Sequence, residues 1–319
     1  MTVPAVASFT PKGPFSLASS IRFLEGFTPA SHGHAAGDVL RMAFPADDGR
    51  GVIGCTVSQA ETASAGAAGA GAPAPVTAEF TVHRGTGPAA HSAARAQIAR
   101  ILSLDVDGTG YPALGGSDPV VAGLQADYPG LRPPCFYTPY EAAAWAVIGN
   151  RVRRTQAAAI KARLARDHGR AVDVGGARLH TFPTPEVLRT IDHVTGLTST
   201  KVERLHAIAD AAFDGRLDAA TLRAEPAESA LRALRELPGI GPFSAELILI
   251  RGAGHPDIFP TAEPRVHQSM ATEYALDAAT AADPARLAAI ADAWRPYRSW
   301  VALLLRARAH DRAAAQARI

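Results

Sequence analysis

The sequence predicts an α+β protein with a mixed domain over residues 1–133 and an all-α domain over residues 134–319. Runs rich in β-branched and aromatic residues occur in the first part of the chain. From Thr138 onward, one helical pattern follows another, each with capping residues at its ends. The consecutive prolines Pro133 and Pro134 separate the two patterns, and we therefore expect the domain boundary there.

Two strands and one helix are predicted in the first domain. Residues 39–44 and 76–82 are rich in residues that favour strands and are bounded by glycine, proline or aspartate. Between them, residues 60–75 form an alanine, glycine and proline tract with almost no charge, which predicts a flexible hairpin loop. A helix is expected over residues 88–104.

The second domain begins with a clear helix start. Thr138 and Glu141 have the spacing of a capping box, in which the threonine caps the helix and the glutamate lies three residues later. Further helices are predicted over 155–168, from residue 184, and over 199–213. The succession of helices predicts an all-α domain.

The cationic residues are distributed unevenly in kind and in position. Of the 32 lysines and arginines, three are lysines (Lys12, Lys161 and Lys201) and the other 29 are arginines. The net charge of +2 is too small to identify a nucleic-acid partner. Residues 1–145 carry a net charge of −3 and the remainder +5, so a polyanionic partner would contact the second part.

Cysteine usage and hydropathy exclude several classes of protein. Cys55 and Cys135 stand 80 positions apart without a paired-cysteine motif, so we expect two reduced packing thiols and neither zinc nor an iron–sulfur cluster. No apolar stretch approaches the roughly 18 residues of a membrane span, and the first residues lack the pattern of a signal peptide. These observations predict a soluble cytoplasmic protein.

Residues 231–270 carry the most information about function. A predicted helix over 227–237 meets Pro238-Gly239-Ile240-Gly241, and a second helix begins at once with Pro242. Two glycines so spaced allow a tight turn, whose backbone N–H groups beside a helix N-terminus can hold a phosphate. An ordinary helical hairpin with Ile240 in its core has the same pattern and remains an alternative.

Glu263 is the candidate catalytic residue. It stands directly before Pro264 and a new predicted helix, after an extended run over 257–260. A carboxylate at an N-cap is kept ionised by the helix dipole and by free N–H groups, which suits a site that stabilises positive charge. A capping role alone explains the same pattern.

These residues resemble the helix-hairpin-helix (HhH-GPD) DNA glycosylases, and in particular the AlkA-like 3-methyladenine DNA glycosylase II branch. The matching pattern is Leu-Pro-Gly-Ile-Gly, a helix, an extended Gly/Pro-rich loop and an acid, with Glu263 at the position of the acid. Weaker matches lie at residues 15–27, 129–132, 148–152 and 294–300. The resemblance implies an N-terminal TATA-binding-protein-like α+β domain followed by an all-α helix-hairpin-helix glycosylase domain.

The resemblance implies a monofunctional base-excision-repair enzyme that acts on double-stranded DNA containing damaged bases. It would flip out bases of the 3-methyladenine and 7-methylguanine type and hydrolyse the N-glycosidic bond, with Glu263 stabilising an oxocarbenium-like sugar. Where bifunctional relatives have a nucleophilic lysine, this chain has Phe243, so Schiff-base chemistry lacks its amine. A bacterial, nucleoid-associated monomer with no membrane partner is expected.

The resemblance also implies roles for other residues. Phe243, Trp294 and Phe23 would line the base pocket, although packing in a core is the alternative for Trp294 and Phe23. Arg151 would be the wedge that fills the vacated stack, or else a surface arginine. The phosphate-binding hairpin would use Gly239, Ile240, Gly241 and Ser244, and the backbone carbonyls of Arg235, Leu237 and Ile240 would hold a sodium or potassium ion.

Several positions depart from the family pattern, among them Asn150-Arg151 in place of a more usual glutamine and apolar wedge. Glu263 replaces the usual aspartate and is one methylene longer, while Leu247 and Pro264 stand where relatives often have tyrosines. These changes predict a less aromatic pocket and an altered base preference. A non-catalytic DNA-damage-binding protein of the same fold and a helical protein-interaction module are the alternatives.

Overall fold

The computed structural model describes residues 4–26, 38–60, 73–83 and 87–316. A small antiparallel sheet lies in the first part of the chain, and most of the remainder is helical. The predicted flexible loop over 60–75 falls largely outside the described residues, which omit 61–72. The mixed α and β composition is as predicted.

The sheet has four strands in the order β1-β4-β3-β2. They are β1 (Ala5–Phe9), β2 (Leu40–Pro45), β3 (Val52–Gln59) and β4 (Val76–His83), each antiparallel to its neighbour. β2 and β4 confirm the two predicted strands. Helices α1 (Leu17–Gly26) and α2 (Pro88–Ile101) pack apolar side chains against one face of this sheet.

Helix α2 ends before the predicted residue 104 because of its C-terminal geometry. Ser103 has a φ of 52°, in the left-handed region, and the Leu104 N–H donates to the Ala99 carbonyl at 2.8 Å. This hydrogen bond closes the last turn and directs the chain away from the helix axis.

Helices form most of the chain beyond residue 110. They are α3 (Leu114–Ser117), α4 (Pro119–Asp127), α5 (Pro139–Gly149), α6 (Arg154–His168), α7 (Pro185–Leu188), α8 (Ser199–Phe213), α9 (Ala219–Ala224), α10 (Ala227–Arg235), α11 (Pro242–Leu247), α12 (Pro264–Glu273), α13 (Ala278–Ala281), α14 (Pro284–Ala291) and α15 (Arg298–Gln316). The predicted helix starts at Thr138 and Thr184 are confirmed, and Thr138 Oγ1 accepts from the Glu141 N–H at 2.9 Å.

The second part of the chain is not all-α, which corrects the prediction. Strands β5 (Ala171–Val174) and β6 (Ala177–His180) form an antiparallel hairpin, whose turn glycines Gly175 and Gly176 both have positive φ. Two consecutive residues with positive φ suit the tight turn that joins antiparallel strands. The hairpin buries its valines against β2 and β3, on the sheet face opposite α1 and α2. It therefore packs with the sheet of the first part of the chain.

Two helical cores meet around the candidate site. Helices α5, α6, α8, α10 and α11 share one hydrophobic cluster, and α4, α12, α14 and α15 share another. Tyr111 and Leu124 lie before residue 133 in sequence but contribute to the second cluster. The boundary at residue 133 stays a prediction.

Candidate active site

Helices α10 and α11 are joined by the predicted glycine turn. Gly239 has a φ of 88°, a conformation that side chains other than glycine adopt at a cost. Ile240 is buried, and its N–H donates to the Leu237 carbonyl at 3.0 Å, so the turn is anchored in the core. Gly241 is exposed and caps α11, and a Cβ at this position would meet nothing within 4 Å.

A cavity of about 950 Å³ lies beside this turn. Its lining comes from α1, α5, α11, α12 and α15, so both helical clusters contribute to it. The aromatic lining residues are Phe23, Tyr128, Trp145 and Phe243. Phe243 is 45% exposed, which is unusual for a large apolar side chain and leaves its ring accessible to a ligand.

Glu263 lies at the wall of this cavity and caps α12, as the sequence predicts. Its Oε1 accepts from the Arg265 N–H at 3.1 Å, and Pro264, which has no N–H, occupies the next position of the helix. The guanidinium of Arg306 lies 4.0 Å from Oε2. A partly exposed carboxylate therefore faces the cavity with one cationic neighbour.

The segment leading to Glu263, which we call the acid loop (residues 260–263), is attached to α11 through Glu246. Glu246 Oε1 accepts from the Thr261 N–H at 3.0 Å and from the Thr261 hydroxyl at 2.6 Å, and Oε2 accepts from the Ala262 N–H at 3.0 Å. The carboxylate is buried and also lines the cavity. No local pattern in the sequence singles out Glu246.

Arginines give the cavity much of its polar character. Burial lowers the pKa of Arg306 from its ordinary value, while the nearby Glu263 carboxylate acts in the opposite direction. Burial also lowers the pKa of Arg251 to about 10. The Arg251 guanidinium lies 5.1 Å from the centre of the Phe23 ring, a cation–π contact that holds this ring at the cavity wall.

Trp294 does not line the cavity, which corrects its predicted position. Its side chain is 0% exposed and lies in the cluster formed with α4, α12 and α15. The indole N–H is within hydrogen-bond distance of Asp118 Oδ2 at 3.3 Å and of the Tyr274 hydroxyl at 3.2 Å. A buried tryptophan with a satisfied N–H is a core residue, the alternative that the sequence left open.

Trp145 and Tyr128 are the two cavity aromatics that were not predicted from the sequence. Trp145 lies on α5, one turn before Gly149, and is 9% exposed. Trp145 stands four residues before Gly149, and residues four apart lie on the same helix face. Because Gly149 lines the cavity, this spacing indicates that Trp145 faces it too.

Arg151 projects from the loop after α5, next to cavity residues but outside the lining itself. It is exposed and has a φ of 54°. The end of α5 is fixed by Lys201, whose Nζ donates to the carbonyls of Ile148 at 2.9 Å and Asn150 at 2.7 Å. The wedge role of Arg151 stays a prediction.

Metal-binding clusters and membrane spans can be described only for part of the chain. In the described ranges, no group of three or more His, Cys, Asp or Glu side chains could hold a metal ion. The cation on the carbonyls of Arg235, Leu237 and Ile240 stays a prediction. None of the helices in the described part of the chain is both long and apolar enough to span a membrane.

Two curated proteins are similar in sequence to this chain. It is 32% identical over 212 residues to a probable bifunctional transcriptional activator/DNA repair enzyme AlkA of Mycobacterium tuberculosis, covering 65% of this chain and 41% of that protein. It is 29% identical over 184 residues to DNA-3-methyladenine glycosylase 2 of Escherichia coli, covering 56% and 61%. The chain thus spans about half the length of these relatives. No family model matches it.

Solved structures share the fold over most of the chain. A 3-methyladenine DNA-glycosylase from Archaeoglobus fulgidus superposes with a TM-score of 0.69, over 94% of this chain and 96% of that one, at 20% identity. An 8-oxoguanine glycosylase/lyase from Clostridium acetobutylicum, solved with double-stranded DNA, gives a TM-score of 0.56 at 15% identity, over 82% and 86%.

Proposed function

We propose that this chain is a DNA glycosylase of the AlkA-like branch of the helix-hairpin-helix family and that it excises alkylated bases in DNA repair. Its relatives carry names of this kind, and its fold is that of solved glycosylases. Bases of the 3-methyladenine and 7-methylguanine type are the expected substrates.

The observation that carries this proposal is the position of Glu263. This carboxylate lies at the wall of an open cavity that also contains the exposed ring of Phe243, next to the glycine turn. A glycosylase needs an anion close to the sugar, aromatic faces for the base and a grip on the neighbouring phosphate. These three features meet around α11.

The chemistry follows from these groups. A flipped N3- or N7-alkylated purine is already cationic, so its bond to C1′ breaks with the electron pair leaving on the base as a neutral molecule. The sugar is left oxocarbenium-like, and the Glu263 carboxylate stabilises that positive charge. Water then adds to C1′ and gives its proton to Glu263, which leaves an abasic site.

The enzyme is proposed to be monofunctional. A lyase mechanism needs an amine that can attack C1′, and Phe243 stands where the lysine of bifunctional relatives would be. The three lysines of the chain contact other groups: Lys12 pairs with Asp107, Lys161 with Glu141, and Lys201 caps α5. Among the described residues that line the cavity there is no lysine.

The hairpin is proposed to bind a DNA phosphate through backbone N–H groups. The exposed Gly241 leaves room for a phosphate to approach, and Ser244 lies three residues further along the cavity wall. A sodium or potassium ion on the carbonyls of Arg235, Leu237 and Ile240 would reinforce this grip. Arg151 is proposed as the wedge, and the N-terminal region 1–133 as a TATA-binding-protein-like domain of a monomeric enzyme.

The test is release of free base from methylated duplex DNA. Purified protein is incubated with DNA that contains 3-methyladenine and 7-methylguanine, and released bases and abasic sites are measured together with strand breaks. We expect free base and intact abasic strands, without a borohydride-trappable protein–DNA adduct. A trapped adduct would contradict the monofunctional mechanism, and DNA binding without release would support a non-catalytic binding protein.

A further inference from the structure

We propose that Glu246 is a positioning residue, which sets the place of the Glu263 carboxylate by fixing the acid loop to α11. The proposal rests on the proposed glycosylase function, because it concerns the acid of that reaction. Its basis is geometric: one buried carboxylate accepts three hydrogen bonds, at 2.6 to 3.0 Å, from the two residues that directly precede Glu263.

These hydrogen bonds restrain the acid loop strongly. Both oxygens of Glu246 are used, and they hold two consecutive backbone N–H groups, so the peptide planes of Thr261 and Ala262 are fixed in direction as well as in distance. Hydrogen bonds to a charged acceptor are stronger than neutral ones, and burial increases their strength. The backbone at Glu263 is therefore fixed on both sides, by Glu246 before it and by α12 after it.

The position of Glu246 on α11 gives the restraint a functional meaning. Glu246 lies three residues after Phe243 on the same helix, so the two side chains share one face, and both line the cavity. Gly241 caps the same helix. One short element thus connects the proposed phosphate grip, the proposed base contact and the loop of the acid, and their mutual distances are set by helix geometry.

This connection matters because a glutamate occupies the acid position. A glutamate side chain has one more rotatable bond than aspartate, so the reach of its carboxylate depends more on where its backbone is held. An anion displaced by about 1 Å from a reacting centre can cost about 100-fold in rate. A fixed acid loop limits that displacement.

The test compares Glu246→Gln with Glu141→Gln. Glu141 is also a buried carboxylate, paired with Lys161 at 2.5 Å, but it does not line the cavity, and its variant therefore reports on the general cost of losing a buried charge. Glu246→Gln retains one oxygen for Thr261 but directs an amide NH₂ at the Ala262 N–H. Thr261→Val, which removes the hydroxyl bond alone, should have a smaller effect in the same direction.

We would measure three quantities for each variant: the single-turnover rate of base release from 7-methylguanine DNA, the affinity for DNA with a stable abasic analogue, and the rate of hydrogen exchange over residues 259–264. For Glu246→Gln we expect release to slow about 10- to 100-fold, affinity to stay within about threefold, and exchange in the segment to accelerate. Glu141→Gln should leave the rate of base release relative to DNA affinity unchanged, and also the hydrogen exchange over residues 259–264.

Two results would overturn the proposal. One is release by Glu246→Gln within about threefold of wild type, and the other is unchanged exchange over residues 259–264. If the wild-type protein releases no base at all, the proposed function fails instead. The exchange measurement then still decides whether Glu246 fixes the acid loop.

Discussion

Replacing Gly241 by alanine separates DNA binding from folding more cleanly than any other change in the hairpin. Gly241 has a φ of −94° and ψ of −176°, an extended conformation that alanine adopts without strain. The added Cβ would meet nothing within 4 Å. Gly239→Ala is less informative, since its φ of 88° is strained for alanine and its Cβ would lie 2.8 Å from Arg204 Cδ.

The expected magnitudes follow from this geometry. Alanine at a compatible glycine position stabilises the fold by about 0.4–1 kcal/mol through the unfolded state, but alanine is a poorer N-cap than glycine by a similar amount, so the two effects largely offset each other. A methyl group in front of the turn keeps a phosphate from approaching the backbone N–H groups. Loss of one hydrogen bond to a charged group costs about 1.5–3 kcal/mol, which corresponds to a DNA affinity about 10- to 100-fold weaker.

The assay is fluorescence anisotropy with a duplex that contains a stable abasic analogue, together with thermal unfolding of the same samples. Gly116→Ala is the matched control, because a Cβ there also meets nothing within 4 Å and the residue lies on α3, away from the cavity. Gly241→Ala should melt close to wild type but bind more weakly, and the control should bind normally. Affinity of Gly241→Ala within about twofold of wild type would refute the phosphate-binding role of the turn.

Three further outcomes are expected. Trp294→Phe removes a buried hydrogen bond to Asp118 and should lower the free energy of unfolding by about 1–3 kcal/mol, measured by thermal unfolding. The relative release of different bases should stay unchanged; a changed base preference would show that Trp294 contributes to the base pocket. Burial lowers the pKa of His255 below its ordinary 6.5, so the unfolded chain takes up the proton first and stability falls as the pH drops below about 6.5. His255→Asn should reduce the slope of stability against pH in this range, and an unchanged slope would exclude His255 as its source. Arg306→Gln removes the cation 4.0 Å from the Glu263 carboxylate. Release of 7-methylguanine should become several-fold faster, since the carboxylate then faces the sugar without a competing cation. Slower release would show that Arg306 helps Glu263 in the reaction.

Local signals in the sequence predicted a large part of the fold. Thr138 caps α5 through its own hydroxyl, and the glycine pattern at 239–241 gives the tight turn, with Gly239 in the left-handed region. Glu263 caps α12 because a carboxylate at the N-cap followed by proline favours a helix start, and this preference is local. Such features depend on residues within one or two turns of each other.

Features that depend on distant contacts were missed. Trp294 lies in a core because Asp118, 176 residues earlier, reaches its indole N–H, and this pairing leaves no mark in the local sequence. The hairpin β5–β6 carries a Gly-Gly turn signal, but its strands of four residues are short and are stabilised by the sheet of the N-terminal region. Glu246 acquires its partners only when α11 and the acid loop pack together.

The most direct test of the central claim is the single-turnover rate of base release by Glu263→Gln, compared with wild type on the same 7-methylguanine duplex. The amide has nearly the size of the carboxylate and can still accept a hydrogen bond from the Arg265 N–H at the start of α12, but it carries no charge. We expect the rate to fall about 100-fold or more, as when other electrostatic stabilisers are removed, with affinity for abasic DNA preserved. Release at the wild-type rate would contradict the central claim.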